Sequence, residues 1–541
     1  MGEIVIHSNL KDKFVSNPLI LLLTISVVSL GLYLTLALRY PLGSSLADPR
    51  ATWVSMNKGN LNGFAIHLVV YFCLTLLYWA TLKLLTIPKL GQNDEKVGQH
   101  ERRGWIYGLI IISWLAFCMV LMTSAPAGES HDIFDYVFRG RMMVESNANP
   151  LIEIPRSYRK DAFIRYVAWQ KNVDTYGPLW EMASFGVSTT VHKIAEGLQW
   201  DTVGLPSCPN SSDSCHLLIA YITSYRLLAV LLMGVSAALI ASIVARSQAR
   251  LVPAALVAWL WNPLALIATA VGGHNDLLLV LFLLTGLWFM QRQRPFFGLV
   301  ALILAAHVKL IALIWMPLFV LWILRKWGWR KAISTTIGSL AVGSIISWLL
   351  YIPFDGWHSL PRMLHERTLY LANSIWQIIY TYLYKQQGWP KEDALRLTTG
   401  FPTWVFIALA ILISLWMLDF RPKRWQRVYD PLANEDRRLW TSLAKLSLLY
   451  LILGAFWFQH WYVLWVLAPV ALIPGSNLTR NVVPWLSFGT LSANLAQGFL
   501  LESVPKGEPR TGVYSLTYLI IWGPALIAGL ISRLNRRKYR S

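Results

Sequence analysis

SHDIFDYVFRGRMMVESNANPLIEIP (130–155), continued to YGPLW (176–180), is the one long segment of this chain in which acids, arginines, prolines, glycines and aromatics come together. It follows an apolar run that ends at Thr123, and the next long apolar run begins only near Leu217. Each flanking run is long enough to cross a bilayer core of ~30 Å. A polar excursion of this size between two crossings is a loop outside the membrane, and such loops carry function more often than they merely connect. The reading is therefore an all-α, multi-pass transmembrane helical bundle with a first large outer loop over 124–216.

Composition supports that class. Of the 541 residues, 55% are hydrophobic and only 14% charged, and the mean hydropathy is +0.46. A soluble domain carries roughly 25% charged residues, so most of this surface faces something other than water. The formal charge of +20 does not point to nucleic acid. Lys and Arg cluster in short segments between apolar runs, the pattern that marks the cytoplasmic side of a membrane protein. The 27 Trp and 22 Tyr suit interfacial belts or the walls of a sugar- or lipid-lined cavity. Four cysteines are too few for a disulfide framework. Cys73 and Cys118 lie inside spans, whereas Cys208 and Cys215 bracket PNSSDS in an outer loop where a bridge and two free thiols are both open.

Taken in order, Lys11 and Lys13 place the N-terminus inside, and Leu19–Ala37 reads as a span that remains as a helix, not as a cleaved leader. Spans near 63–86 and 105–123 flank the basic segment PKLGQNDEKVGQHERR, which puts Ser130 on the non-cytoplasmic face. Within the outer loop, Ile133–Val144 looks amphipathic and suited to the interface, and Tyr176–Leu198 reads as a re-entrant or surface helix. Later spans fall near 217–243, 253–270 and 277–291. Phe296–Leu324 has arginine beyond both ends, so one crossing would violate the charge bias; two short helices turning at His307-Val308-Lys309 would not. A second outer segment covers 354–400. The expected sum is roughly 13–14 crossings with both termini inside, in a single integral-membrane domain over 1–541.

The candidate chemistry sits on the outer side of these crossings. Asp132 and Asp135 follow the third span directly; a carboxylate at the mouth of a membrane cavity can deprotonate a hydroxyl, although acids also simply favour a helix start. His274, Asn275 and Asp276 occupy the joint between two apolar runs, where polar groups are expensive; the plain alternative is a hydrated turn capped by Asp276. Lys309 is the only cation between Arg294 and Arg325 and either snorkels or holds an anion. His460, Trp461 and Tyr462 offer donors and a stacking platform, or an ordinary aromatic belt. Tyr176 opens a rigid Gly-Pro turn.

In combination, Asp132, Tyr136 and Gly140 in a D-x-x-x-Y-x-x-x-G spacing, Asn149-Pro150, YGPLW, GHNDLLL, Lys309 in a short apolar helix and a late Trp-Tyr pair resemble the polyprenol-phosphate-mannose-dependent α-mannosyltransferases. More broadly they resemble the GT-C class of integral-membrane glycosyltransferases, over about 105 to 475. The chain departs from that pattern at Asp135, where a small polar residue is commoner, and at Leu151, where an aromatic follows the proline.

The resemblance implies an inverting transferase acting on the non-cytoplasmic face, in a bacterial plasma membrane. It would move one sugar, mannose first, from a polyprenyl-phosphate donor to a glycan or glycolipid acceptor. It implies Asp132 as general base and Lys309, His274 and Asn275 at the donor phosphate. Asp135, Tyr136, Arg139, Tyr176, Asp276, His460, Trp461 and Tyr462 would line the sugar and acceptor pocket. The lipid donor is the only cofactor-like group expected; no metal site is indicated, and metal dependence stays open. Two rivals share many of these features. A lipid-linked oligosaccharide ligase or polymerase would use the same face, and a polyprenyl-lipid transporter would also carry midplane polar residues, although no two related halves are visible.

Overall fold

The computed structural model describes residues 18–46, 48, 52–57, 59–86, 98–124, 130–200, 213–366, 371–418, 435–505, 508 and 510–538, and among them there is no β-strand, only helices and turns. The main helices are α1 (Pro18–Arg39), α2 (Leu61–Leu85), α3 (Gly98–Met122), α4 (Asp132–Ser146), α5 (Pro178–Gly197) and α6 (Asp213–Gln248). They continue as α7 (Val252–Leu260), α8 (Pro263–Ala270), α9 (Asp276–Gln291), α10 (Pro295–Ala306) and α11 (Met316–Tyr351). The last are α12 (Lys391–Leu418), α13 (Glu435–Leu449), α14 (Leu464–Ala471), α15 (Val483–Ser503) and α16 (Thr511–Lys538). Among the described residues, seven helical stretches are long and apolar enough to cross a membrane. Asp276–Gln291, Pro295–Ala306 and His460–Ala471 are apolar but shorter. The expected number of crossings thus depends on short and broken helices as well as on full-length ones.

The breaks are where the sequence places polar or helix-stopping residues. Asn262 separates α7 from α8: its side chain accepts from the Ala265 N–H at 3.1 Å and donates to Ser487 Oγ at 3.0 Å, while Pro263 opens the next helix where its missing N–H costs nothing. The run with arginine beyond both ends is divided as charge bias requires. α10 stops at Ala306, His307–Lys309 form a turn, and a 3-10 helix over Leu310–Trp315 leads into α11. α11 itself is interrupted at Gly328, whose φ is +81°, inside the basic RKWGWRK segment.

Above the crossings, α4 packs on α5 and both pack on α6. Gly140 permits this approach: a Cβ there would lie 2.1 Å from Ser188 Oγ and 2.5 Å from the Tyr225 hydroxyl. The Tyr225 hydroxyl in turn donates to the Tyr136 carbonyl at 3.0 Å, fastening α4 to α6. The surface position expected for α4 is not observed; every residue from Ile133 to Met143 is buried. The reason is that its charges are paired inside the protein. Arg139 Nε lies 3.3 Å from Asp174, and Arg141 donates to Asp161 at 2.9 Å while its guanidinium covers the Phe163 ring at 4.3 Å. α5, expected as a re-entrant or surface helix, buries Trp180, Glu181 and Ser184 against α4 and α6. Cys73 and Cys118 are free and Cys215 is disulfide-bonded; Cys208, one half of the bridge considered from sequence, lies outside the described residues.

Candidate active site

Arg226 on α6 is what brings the two polar segments together. Its Nε donates to the Val271 carbonyl at 2.9 Å, just before GGHND, and its Nη1 donates to the carbonyls of Met122 at 2.7 Å and Ser124 at 3.1 Å. These carbonyls sit at the C-terminal ends of α8 and α3, where a helix leaves acceptors unsatisfied and favours a cation. One guanidinium therefore fixes the joint that carries His274 relative to the end of α3 at Met122 and Ser124.

Asp132 occupies the first position of α4, with its backbone N–H on Ser130 Oγ at 3.2 Å. Its Oδ2 faces His274 Nδ1 across 4.0 Å, too far for a direct hydrogen bond. Burial pushes its carboxyl up to about 6, with the nearby Asp276 charge adding to the rise; hydrogen bonds from Ser130 and Trp169 and the Lys309 charge hold it down. Asp135 is different. Burial pushes it up to about 8 despite Arg139, and the Asp132 and Asp174 charges add to the rise. Its side chain keeps 5% of its surface open against 15% for Asp132, so Asp132 is both the more ionised and the more reachable carboxylate at neutral pH. Glu181, fully buried beside Asp174, is held well above the carboxylate range by burial first and by Asp174 second.

Opposite Asp132, the His274 ring stacks on Trp461 at 3.8 Å and 19°, and Tyr136 reaches both His274 Nδ1 at 3.5 Å and the Tyr176 hydroxyl at 3.4 Å. Below this layer, Lys309 Nζ donates to Asp276 Oδ2 at 2.6 Å, and Trp465 Nε1 donates to Asp276 Oδ1 at 2.7 Å. Lys309 lies over the rings of Tyr176 at 4.9 Å and Tyr462 at 5.3 Å, and Tyr462 stacks on Trp465 at 4.2 Å. Asn275 is wholly buried, and neither its amide nitrogen nor its amide oxygen has a hydrogen-bond partner among the described residues. A buried amide left this way is suited to a bound polar group, and a phosphate oxygen would satisfy its donor.

The YGP turn is docked directly on the Lys309 turn. Gly177 N–H donates to the Val308 carbonyl at 3.0 Å and Leu179 N–H to the His307 carbonyl at 3.1 Å. A Cβ at Gly177 would lie 2.0 Å from the His307 carbonyl oxygen. Gly177→Ala is therefore expected to destabilise the protein by about 1–3 kcal/mol, the usual range for overpacking. It should also lower turnover, because Tyr176 moves off Lys309. Thermal unfolding and a transfer assay on the same preparation check both, and an unshifted midpoint would remove this account of the turn.

Asp132, Tyr136, Tyr176, His274, Asn275, Asp276, Lys309, His460, Trp461 and Tyr462 are thus gathered around one joint. Asp135 and Arg139 join a separate buried cluster with Asp174. His460 meets His274 edge-on at 6.1 Å and its Nδ1 pairs with Asn494 Nδ2 at 3.0 Å. Sequence reading missed Trp465, Arg226 and Trp169. Trp465 follows Tyr462 by three residues and so shares its helix face, a signal that was present. Among the described residues, no three His, Cys, Asp or Glu side chains gather as a metal-binding group.

Residues 26–325 match the family model described as alpha-(1->6)-mannopyranosyltransferase, N-terminal domain. Residues 215–449 also match the model of glycosyltransferase family 87. No curated protein matches the chain.

Proposed function

Because the chain belongs to the alpha-(1->6)-mannopyranosyltransferase family and is an integral-membrane glycosyltransferase, we propose that it transfers a single mannose from a polyprenyl-phosphate donor to a glycan or glycolipid acceptor. The reaction takes place on the non-cytoplasmic face of a bacterial plasma membrane, and the alpha-(1->6) linkage of the family description is the first to test. The observation that carries this reading is Asp132, a part-open carboxylate with a pKa raised to about 6, facing His274 beside the Lys309–Asp276 pair.

Asp132 takes the proton of the acceptor hydroxyl as that oxygen attacks the anomeric carbon. The bond from that carbon to the phosphate oxygen breaks, and its electron pair leaves with polyprenyl phosphate. A phosphate departs as a stabilised anion, so no acid is required for the leaving group; one base plus cationic and dipolar stabilisation suffices. Lys309, His274 and Asn275 supply that stabilisation, with Lys309 shared between Asp276 and the phosphate. Tyr136, Tyr176, Trp461 and Tyr462 line the sugar and the acceptor. One in-line displacement inverts the anomeric configuration.

A panel of donors tests the assignment in lipid: polyprenyl-phosphate mannose, other polyprenyl-phosphate sugars and a polyprenyl-diphosphate oligosaccharide. Turnover with the mannosyl phosphate is expected, and turnover with the diphosphate alone would overturn it. The base also sets a pH profile. A raised pKa keeps Asp132 protonated, and so idle, below about 6. kcat/KM should then fall about tenfold per pH unit below that value and level off above it. A profile flat down to pH 4.5 would remove Asp132 from the role.

A further inference from the structure

At the end of the bundle opposite Asp132 there is a groove of about 1120 Å³ between α2, α15 and α16. Chain direction fixes its place. α2 starts near the catalytic end and runs away from it, α3 returns, and the Pro41–Ser124 bridge marks the catalytic end of α1 and α3. Lys83 is in the last turn of α2, Arg480 lies between α14 and α15, and Asn535 is near the end of α16, so all three belong to the far end. The groove has two kinds of wall. Trp485, Leu519, Ile527 and Ile531 make an apolar side, of which Leu519, Ile527 and Ile531 are exposed. Lys83, Arg480, Asn481 and Asn535 make a cationic and amide-bearing end.

That end is built, not incidental. Lys83 Nζ lies over the Trp79 ring at 5.3 Å, and Trp79 Nε1 donates to Asn481 Oδ1 at 3.4 Å. Asn481 is buried and its Nδ2 donates to Asn477 Oδ1 at 2.6 Å and Ser532 Oγ at 3.1 Å, which ties α16 to the turn that carries Arg480. Pro524 lies inside α16 and lines the groove together with Gly523, and a proline there removes a helical hydrogen bond and bends the helix.

We propose that this groove holds an anionic phospholipid, its phosphate between Lys83 and Arg480 and a chain along Trp485, Leu519, Ile527 and Ile531. Lys83 beside the Trp79 indole in the last turn of α2, with Arg480 lining the same groove, matches the chemistry of an acidic headgroup, and basic pockets between membrane helices recognise such lipids. The apolar wall selects a lipid over a free anion, since inorganic phosphate would leave it uncovered. The site is separate from the donor site and does not rest on the identity of the transferred sugar.

The test is native mass spectrometry of the full chain released from nanodiscs. One set contains phosphatidylglycerol and another phosphatidylcholine with the same acyl chains, and a third arm adds millimolar inorganic phosphate to the first. Wild-type protein is expected to retain one phosphatidylglycerol in preference to phosphatidylcholine, with no displacement by phosphate. Lys83→Gln/Arg480→Gln should weaken retention about tenfold or more, at roughly the electrostatic contribution of two cations. Ile531→Trp, which keeps both cations and fills the apolar wall at an exposed position, should also weaken it while leaving transfer activity and the unfolding midpoint unchanged. Equal retention of the two lipids, displacement by phosphate, or full retention by both variants would overturn the proposal.

Discussion

Asp132→Asn should give a protein that folds, inserts and elutes like wild type but turns over about 10²–10⁴-fold more slowly, the usual cost of removing a general base. The substitution is nearly isosteric, and the position keeps its hydrogen bond from the backbone to Ser130 Oγ, so the loss belongs to chemistry and not to folding. Asp135→Asn is the control. Burial holds Asp135 at about 8, so at pH 7 it is mostly a neutral acid and an amide replaces it with little electrostatic change. Its turnover should fall far less. Release of polyprenyl phosphate at matched protein amounts compares the two, and an Asp132→Asn variant at the wild-type rate would end the assignment.

Lys309→Met should lower stability by about 3–5 kcal/mol, the range for stripping one partner from a buried ion pair. Asp276 would then sit wholly buried with the Trp465 indole N–H as a neutral donor on one oxygen. The double variant Lys309→Met/Asp276→Leu removes the stranded charge as well and should recover much of the lost stability. It should not recover turnover, because the ammonium proposed to steady the departing phosphate is still missing. Thermal unfolding in lipid separates these effects from activity. A single variant as stable as wild type would show that the pair does not hold α9 to the Lys309 turn.

The broad architecture was legible because the bilayer imposes it: apolar length and the bias of Lys and Arg are read directly from composition, and the division at His307–Lys309 followed from arginines beyond both ends of one run. Polar residues in apolar surroundings were legible for the same reason, which is how His274, Asn275 and Lys309 stood out. What could not be read were partners far apart in the chain. Lys309 is 33 residues from Asp276, and Trp465 is 189 residues beyond that acid. Arg226 looks like any arginine near the start of a long span until its contacts with Met122, Ser124 and Val271 are seen. α4 misled for a related reason. Its alternation of charged and apolar residues is that of an interfacial helix, but Asp161 and Asp174, supplied by a later part of the loop, pair its arginines inside the protein.

The most direct test of the account is one reaction in lipid: polyprenyl-phosphate mannose of known anomeric configuration, with and without a mannosyl acceptor, followed for polyprenyl phosphate release and for the anomer of the product. The predicted result is release that depends on the acceptor and a product of opposite configuration. Release at the same rate without acceptor, or a product of retained configuration, would contradict a single displacement driven by Asp132.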